Sequence, residues 1–248
     1  MTEIQKPARY SLFDAIRGFA VINMVLYHLL YDIFAAYGVW TDFAFSAPFF
    51  IWERFICFTF IIVSGMSVNF SKHGFRRGIT VNLCGFAVTV VTVLIAPEQS
   101  IWFGVLNFLG CAMIIAFTLR NELRRIRPVV GMIIFFILFM LCYGIPQGHI
   151  GIFSYPLIKL PDSMYQFRWL SFLGFPSSDF YSTDYFPILQ FIFLYLFGFE
   201  LWRFIEQKGF DRFFRKKIPV LDFIGRQSLI IYMVHQPLLY GICWLIFR

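Results

Sequence analysis

Charge is scarce in this sequence. Asp, Glu, Lys and Arg make up 14% of its 248 residues, whereas a soluble domain carries roughly a quarter. So little charge cannot cover a water-exposed surface, which argues against one or two soluble domains. Cysteine is sparse too. Cys57, Cys84, Cys111, Cys142 and Cys243 fall one to an apolar segment with no CxxC, and they read as small core residues rather than disulfide partners or metal ligands. The P-loop, GxSxG, HExxH and dinucleotide fingerprints are absent. So is any zinc or iron–sulfur ligand set, and no metal is expected. No low-complexity tract, repeat array or separate soluble domain is visible. The first apolar run is too long for a signal-peptide core and lacks a small-residue cleavage site, so it is expected to stay as an anchor.

Apolar residues fill the chain instead: 59% of it, with 35 Phe and 12 Tyr. Apolar runs of about 18 residues or more recur, which is the length that crosses a bilayer. The expected fold is an all-α polytopic membrane helix bundle forming a single transmembrane domain over 1–248. Seven spans are predicted, at about 11–37, 48–70, 78–96, 101–119, 129–145, 185–205 and 222–247. The stretch 146–184 holds Pro146, Pro156, Pro161 and Pro176. A structureless loop of that length is improbable, so short interfacial or re-entrant helices are expected there. The net charge of +7 reads as topological anchoring rather than nucleic-acid binding. Fifteen of the 21 Lys and Arg lie on one side, in Lys6–Arg9, Lys72–Arg77, Arg120–Arg127 and Arg203–Lys217. The positive-inside rule places the N-terminus and those loops in the cytoplasm, with 146–184 and the C-terminus outside. Arg17, Arg54 and Arg226 are left inside spans.

The first span, 9-RYSLFDAIRGFAVINMVLYHLLYDIF-34, carries four ionisable residues. At about 100° per residue, His28 falls about 20° from Arg17, and Asp14 and Asp32 both fall about 60° from it. Asn23 points elsewhere. Ionisable groups at membrane depth cost several kcal/mol and normally face a bundle interior or water-filled cavity, so this stripe should line a pathway. Its cytoplasmic end, at Arg17, suits phosphates. About 16 Å further along at 1.5 Å per residue, His28 can gain and lose a proton near neutral pH. Asp32 follows at i+4, placed to orient the imidazole as a general base. The blander readings are a snorkelling Arg17, a structural His28 and an Asp14 that serves the helix dipole. None of these explains the shared face.

Other spans add polar groups. Glu53 and Arg54 sit at about the depth of His28 and Ser64 at that of Arg17 by rise per residue. An ion pair and a packing site are the structural alternatives. Ser228, Tyr232 and His235 share a face of the last span, Arg226 does not, and Pro237 should bend it. Asp184 in 182-STDYFP-187 is a plausible N-cap for the sixth span at its outer mouth. His73 and His149 lie in or near loops and receive no role.

Five stretches, 14-DAIRGFAVINMVLYH-28, 58-FTFIIVSGMS-67, 103-FGVLNFLG-110, 184-DYFPILQF-191 and 223-FIGRQSLIIYMVHQP-237, resemble the membrane acetyltransferase family of heparan-alpha-glucosaminide N-acetyltransferase catalytic domains. They cover most of the chain, in that family's order. The Arg17–His28 spacing also resembles the motif of membrane O-acyltransferases acting on bacterial surface glycans. The resemblance implies acetyl transfer across a membrane, with acyl-CoA entering from the cytoplasm and a carbohydrate acceptor from outside. Asp14, Arg17, Ser64, Arg226 and Ser228 would hold acetyl-CoA. His28, oriented by Asp32, would take the acceptor's proton or form an acetyl-histidine, with Arg54 on the oxyanion. Glu53, Asp184, Tyr185, His235 and Gln236 would bind the acceptor. The loop 38-GVWTDFAFSAP-48 lacks the histidine that the lysosomal member places after its first span, so heparan sulfate is not the expected substrate.

A prokaryotic inner membrane is the expected location, with the lipid bilayer as a partner. Assembly into a homo-oligomer is compatible with the sequence. The alternative from another class is a proton-coupled transporter or flippase-like permease, since intramembrane His, Asp and Arg suit a proton relay. No inverted repeat of broken spans supports it.

Overall fold

The computed structural model describes residues 10–153 and 155–247; the anchors Lys6 and Arg9, and Arg248, lie outside the described residues. Nine α-helices and one β-hairpin follow in order among them. α1 (Ser11–Tyr31) continues as a π turn over Asp32–Ala36, then come α2 (Thr41–Ala44), α3 (Ala47–Ser67), α4 (Gly74–Ile95), α5 (Val105–Leu123) and α6 (Pro128–Cys142). The hairpin β1 (His149–Ile152) and β2 (Tyr155–Lys159) precedes α7 (Ile188–Gln207), α8 (Pro219–Arg226) and α9 (Ser228–Ile246). Seven of the helices are long and apolar enough to cross a membrane. The chain is therefore an all-α polytopic membrane bundle. In hydrocarbon, backbone N–H and C=O groups must be satisfied within their own segment, which turns even Ile-, Val- and Phe-rich stretches into helices. The surfaces left open are correspondingly apolar, as along α4 at Leu83, Phe86, Leu94 and Ile95.

The chain divides into two compact units, one built from residues up to Val63 and from Ile205 on, the other from Ser64–Phe204. In the first unit α1 packs against α8 and α9. α1 and α8 touch backbone to backbone: a Cβ added at Gly18 would fall on the Leu221 carbonyl, and one at Gly225 on the Asp14 carbonyl. Small residues allow such approach, and packing is what holds helices together in lipid. α3 joins through Tyr27 stacked on Phe49 at 4.5 Å and through Trp52 Nε1, which donates to Asn23 Oδ1 at 3.1 Å. The predicted last span, 222–247, is in fact two helices broken at Gln227. Pro219 opens α8 at its first turn, and the Gly225 contact seats α8 on α1. Arg226 thus ends a short helix outside the spans instead of lying within one.

In the second unit α4 and α5 meet at Gly78, Gly85 and Gly110, with Asn82 Nδ2 donating to the Asn107 carbonyl at 3.3 Å. α5 is tied at both ends to the chain around α7. The Val105 amide at its start donates to Asp184 Oδ2 at 3.1 Å. At its far end Arg203 donates to the carbonyls of Leu123, Ile126 and Arg124 at 2.9, 2.9 and 2.8 Å. Anion at the N-terminus and cation at the C-terminus both complement the helix dipole. This corrects the expectation that Asp184 caps its own helix. Ser182–Phe186 runs beside the chain leading into α5, bonded from Thr183 N to Ser100 O and from Phe186 N to Phe103 O, so its carboxylate serves α5, and α7 starts only after Pro187.

Among its described residues the stretch 146–184 holds no α-helix. It forms the antiparallel hairpin, with a bulge between Ile150 and Gly151, and two 3₁₀ turns at Asp162–Tyr165 and Arg168–Phe172. The interfacial helices expected there are limited to these turns because Gly151 and Pro156 suit an edge hairpin and Pro161 and Pro176 leave little room between them. An isolated hairpin is marginal. This one is held to α6 by Phe153 N bonding Met140 O at 3.3 Å and by the Phe153 ring 5.2 Å from Tyr143.

Candidate functional site

Two polar clusters lie along α1 within the first unit. Near its start, Asp14 sits between two guanidinium groups. Oδ1 accepts from Arg17 Nη1 at 3.3 Å, and Oδ2 is 3.7 Å from Arg226 Nε. Arg226 reaches it from the end of α8, and its side chain is 47% exposed. Ser228, two residues on, begins α9.

Near the other end of α1, the His28 ring lies 4.9 Å from the His235 ring of α9, centroid to centroid. His235 Nδ1 is 2.6 Å from the Tyr232 carbonyl. One residue further, Gln236 Nε2 donates to both oxygens of Asp32, at 3.2 and 3.4 Å. Asp32 and His235 are buried, each 7% exposed. His235 Nε2 and Gln236 Oε1 are buried with no hydrogen-bond partner among the described residues. Asp32 opens the π turn, a distortion frequent at functional sites. Pro237 lies inside α9 directly after Gln236; it has no N–H to offer the carbonyl four residues back. The expected carboxylate–imidazole pair is not what forms here: Gln236, not His28, takes the Asp32 carboxylate. A glutamine two hundred positions away could not be weighed against an i+4 neighbour from the sequence.

Arg54 pairs with its neighbour Glu53 at 3.6 Å and lies over the Phe50 ring at 4.8 Å. Its Nε is buried without a hydrogen-bond partner among the described residues. The remaining sequence-derived candidates belong to the second unit. Ser64 donates to Tyr195 Oη at 3.2 Å, beside Gly65, where a Cβ would meet the Tyr195 carbonyl. Asp184 caps α5, as described. Tyr185 Oη donates to the Ser171 carbonyl. Burial, with Tyr165 nearby, raises its phenol above the ordinary value, which keeps it a neutral donor.

Sequence reasoning passed over Asp222 and Glu200. Asp222 is buried on α8 with Oδ1 unpartnered; in sequence it is an ordinary first-turn acid. Glu200 is 0% exposed and pairs with Arg203 at 2.6 Å. The i,i+3 pair in 200-ELWR-203, charges inside an apolar span, was a readable signal.

Among the described residues no group of His, Cys, Asp and Glu could hold a metal ion. The family model described as heparan-alpha-glucosaminide N-acetyltransferase, catalytic, matches residues 9–237. No curated protein and no solved structure matches the chain.

Proposed function

The chain belongs to the heparan-alpha-glucosaminide N-acetyltransferase catalytic family, a membrane acetyltransferase family, and from that premise we propose that it moves an acetyl group from cytoplasmic acetyl-CoA to an amino or hydroxyl group of an extracytoplasmic sugar. The whole of 1–248 acts as one transmembrane acyltransferase domain in a prokaryotic inner membrane. The observation that carries the reading is the pair of imidazoles, His28 and His235, meeting inside membrane-spanning helices at 4.9 Å, next to a buried carboxylate. Such groups are expensive in a bilayer and mark chemistry or transport.

The two clusters divide the work. Arg17 and Arg226, brought together on Asp14, suit the CoA phosphates, and Ser228 adds a hydroxyl to the donor site. His28 lies 11 residues along α1 from Arg17, about 16 Å at 1.5 Å per residue, a distance that an extended pantetheine arm covers. Its thioester then reaches the imidazole pair, where acyl transfer needs a proton acceptor and an oxyanion partner. The unpaired Nε of Arg54 fits the second role. Glu53 and Gln236 are assigned to the acceptor. No metal takes part in this scheme.

The test is acetyl-CoA binding by purified wild type, Arg17→Ala and His28→Ala, with transfer to a sugar amine measured alongside. Arg17→Ala is expected to weaken binding by about tenfold or more, the worth of a charged hydrogen bond. His28→Ala should keep binding and lose transfer. Well-folded wild type that binds no acetyl-CoA would overturn the reading in favour of a proton-coupled transporter built on the same buried groups.

A further inference from the structure

We propose that His235, not His28, takes the acceptor's proton, and that His28 passes it to the departing thiolate; the inference rests on the acyltransferase reading above. The Tyr232 carbonyl can only accept, so His235 Nδ1, 2.6 Å from it, carries the ring N–H. The contact spans three residues of one helix, which holds the ring in place. A neutral His235 therefore presents its lone pair at Nε2. That atom is buried and unpartnered among the described residues, in a side chain that is 7% exposed. Buried polar atoms almost always have partners, and an orphan calls for a reason. A substrate N–H or O–H is the partner that fits.

His28 is built differently. No described group fixes its tautomer: Asp32 is taken by Gln236, and the ring neighbours are Tyr27 at 5.5 Å and His235 at 4.9 Å. An imidazole with neither nitrogen committed can accept a proton on one and release it from the other. In the transfer His235 Nε2 takes a proton from the acceptor ammonium, and the freed amine attacks the thioester carbon. The carbon–sulfur bond breaks, the proton moves from His235 to His28 and on to the CoA sulfur, and the attacking nitrogen loses its second proton to water. An amide bond replaces the thioester, and both imidazoles end neutral.

The experiment compares two acceptors in one preparation: glucosamine, whose ammonium must be deprotonated, and hydroxylamine, which attacks in its neutral form without a base. CoA thiol release is followed for wild type, His235→Asn, His235→Gln and His28→Asn. Asn at 235 still offers an N–H to the Tyr232 carbonyl but nothing at the Nε2 position. His235→Asn should lose about 100-fold or more with glucosamine and less than about tenfold with hydroxylamine, the span expected of general-base removal. His28→Asn should lose activity with both. The ratio of the two rates does not depend on how much variant protein is folded, and His235→Gln repeats the measurement. Equal losses with both acceptors in the His235 variants, or no loss with glucosamine, would overturn the assignment. A wild type that acetylates neither acceptor would sink the acyltransferase reading itself.

Discussion

Gly18 and Gly225 leave no room for a methyl group. A Cβ at 225 would overlap the Asp14 carbonyl, and Asp14 is the residue that faces Arg17 and Arg226. Gly225→Ala must separate α1 from α8, at about 1–3 kcal/mol for overpacking. Gly241 has nothing within 4 Å of its would-be Cβ, so Gly241→Ala is the matched control. Thermal unfolding in detergent should show a drop of several degrees for the first and almost none for the second, at about 2–4 °C per kcal/mol for a chain this size. Equal midpoints would mean that the helices do not touch there. At this scale the first helix was readable, because Asp14, Arg17 and His28 lie on α-helical backbone where turning by 100° per residue holds. Its partners were not. Gln236 meets Asp32, and His235 meets His28, only because α9 crosses α1, and no local pattern encodes that crossing.

Helix α5 is held at one end by Asp184, just before α7, and at the other by Arg203 within α7. Asp184→Ala removes the acceptor for the Val105 amide, worth about 1 kcal/mol as a cap. Hydrogen exchange at Val105 should quicken while amides in the middle of α5 keep their protection; unchanged exchange at Val105 would refute the cap. Arg203→Met does more, because it uncaps three carbonyls and strands Glu200, which is 0% exposed. A broken buried pair costs about 3–5 kcal/mol. Replacing both, Glu200→Leu with Arg203→Met, should recover part of the lost thermal stability, and a double variant no better than the single one would show that the carbonyl caps dominate. The spans themselves were legible because hydropathy decides them before tertiary contacts do. The hairpin at 149–159 was not, since its bonds to α6 and its bulge depend on neighbours. The break at Gln227 falls in 225-GRQS-228, a polar interruption short enough to pass as part of one span.

For the molecule as a whole, the proposed topology of seven crossings would put the two ends of the bundle on opposite sides of the bilayer, with the basic loops deciding which is which. Glu122 stands in the last turn of α5, next to the basic turn that follows it, and Asp162 in the turn after the hairpin. In a background with the five cysteines replaced, Asp162→Cys should react with an impermeant maleimide on intact cells, and Glu122→Cys only after lysis. The reverse pattern would invert the proposed flow of donor and acceptor. The first unit also draws on both ends of the chain, with all of Ser64–Phe204 between its halves. Synthesis runs at roughly 5–20 residues per second, so α1 enters the membrane on the order of ten seconds before α8 and α9 exist. During that interval Asp32 lacks Gln236, His28 lacks His235, and Asp14 lacks Arg226. The nascent chain must carry these intramembrane polar groups through biogenesis unaccompanied, and the seconds before α9 arrives are when insertion machinery or a membrane chaperone has most to protect.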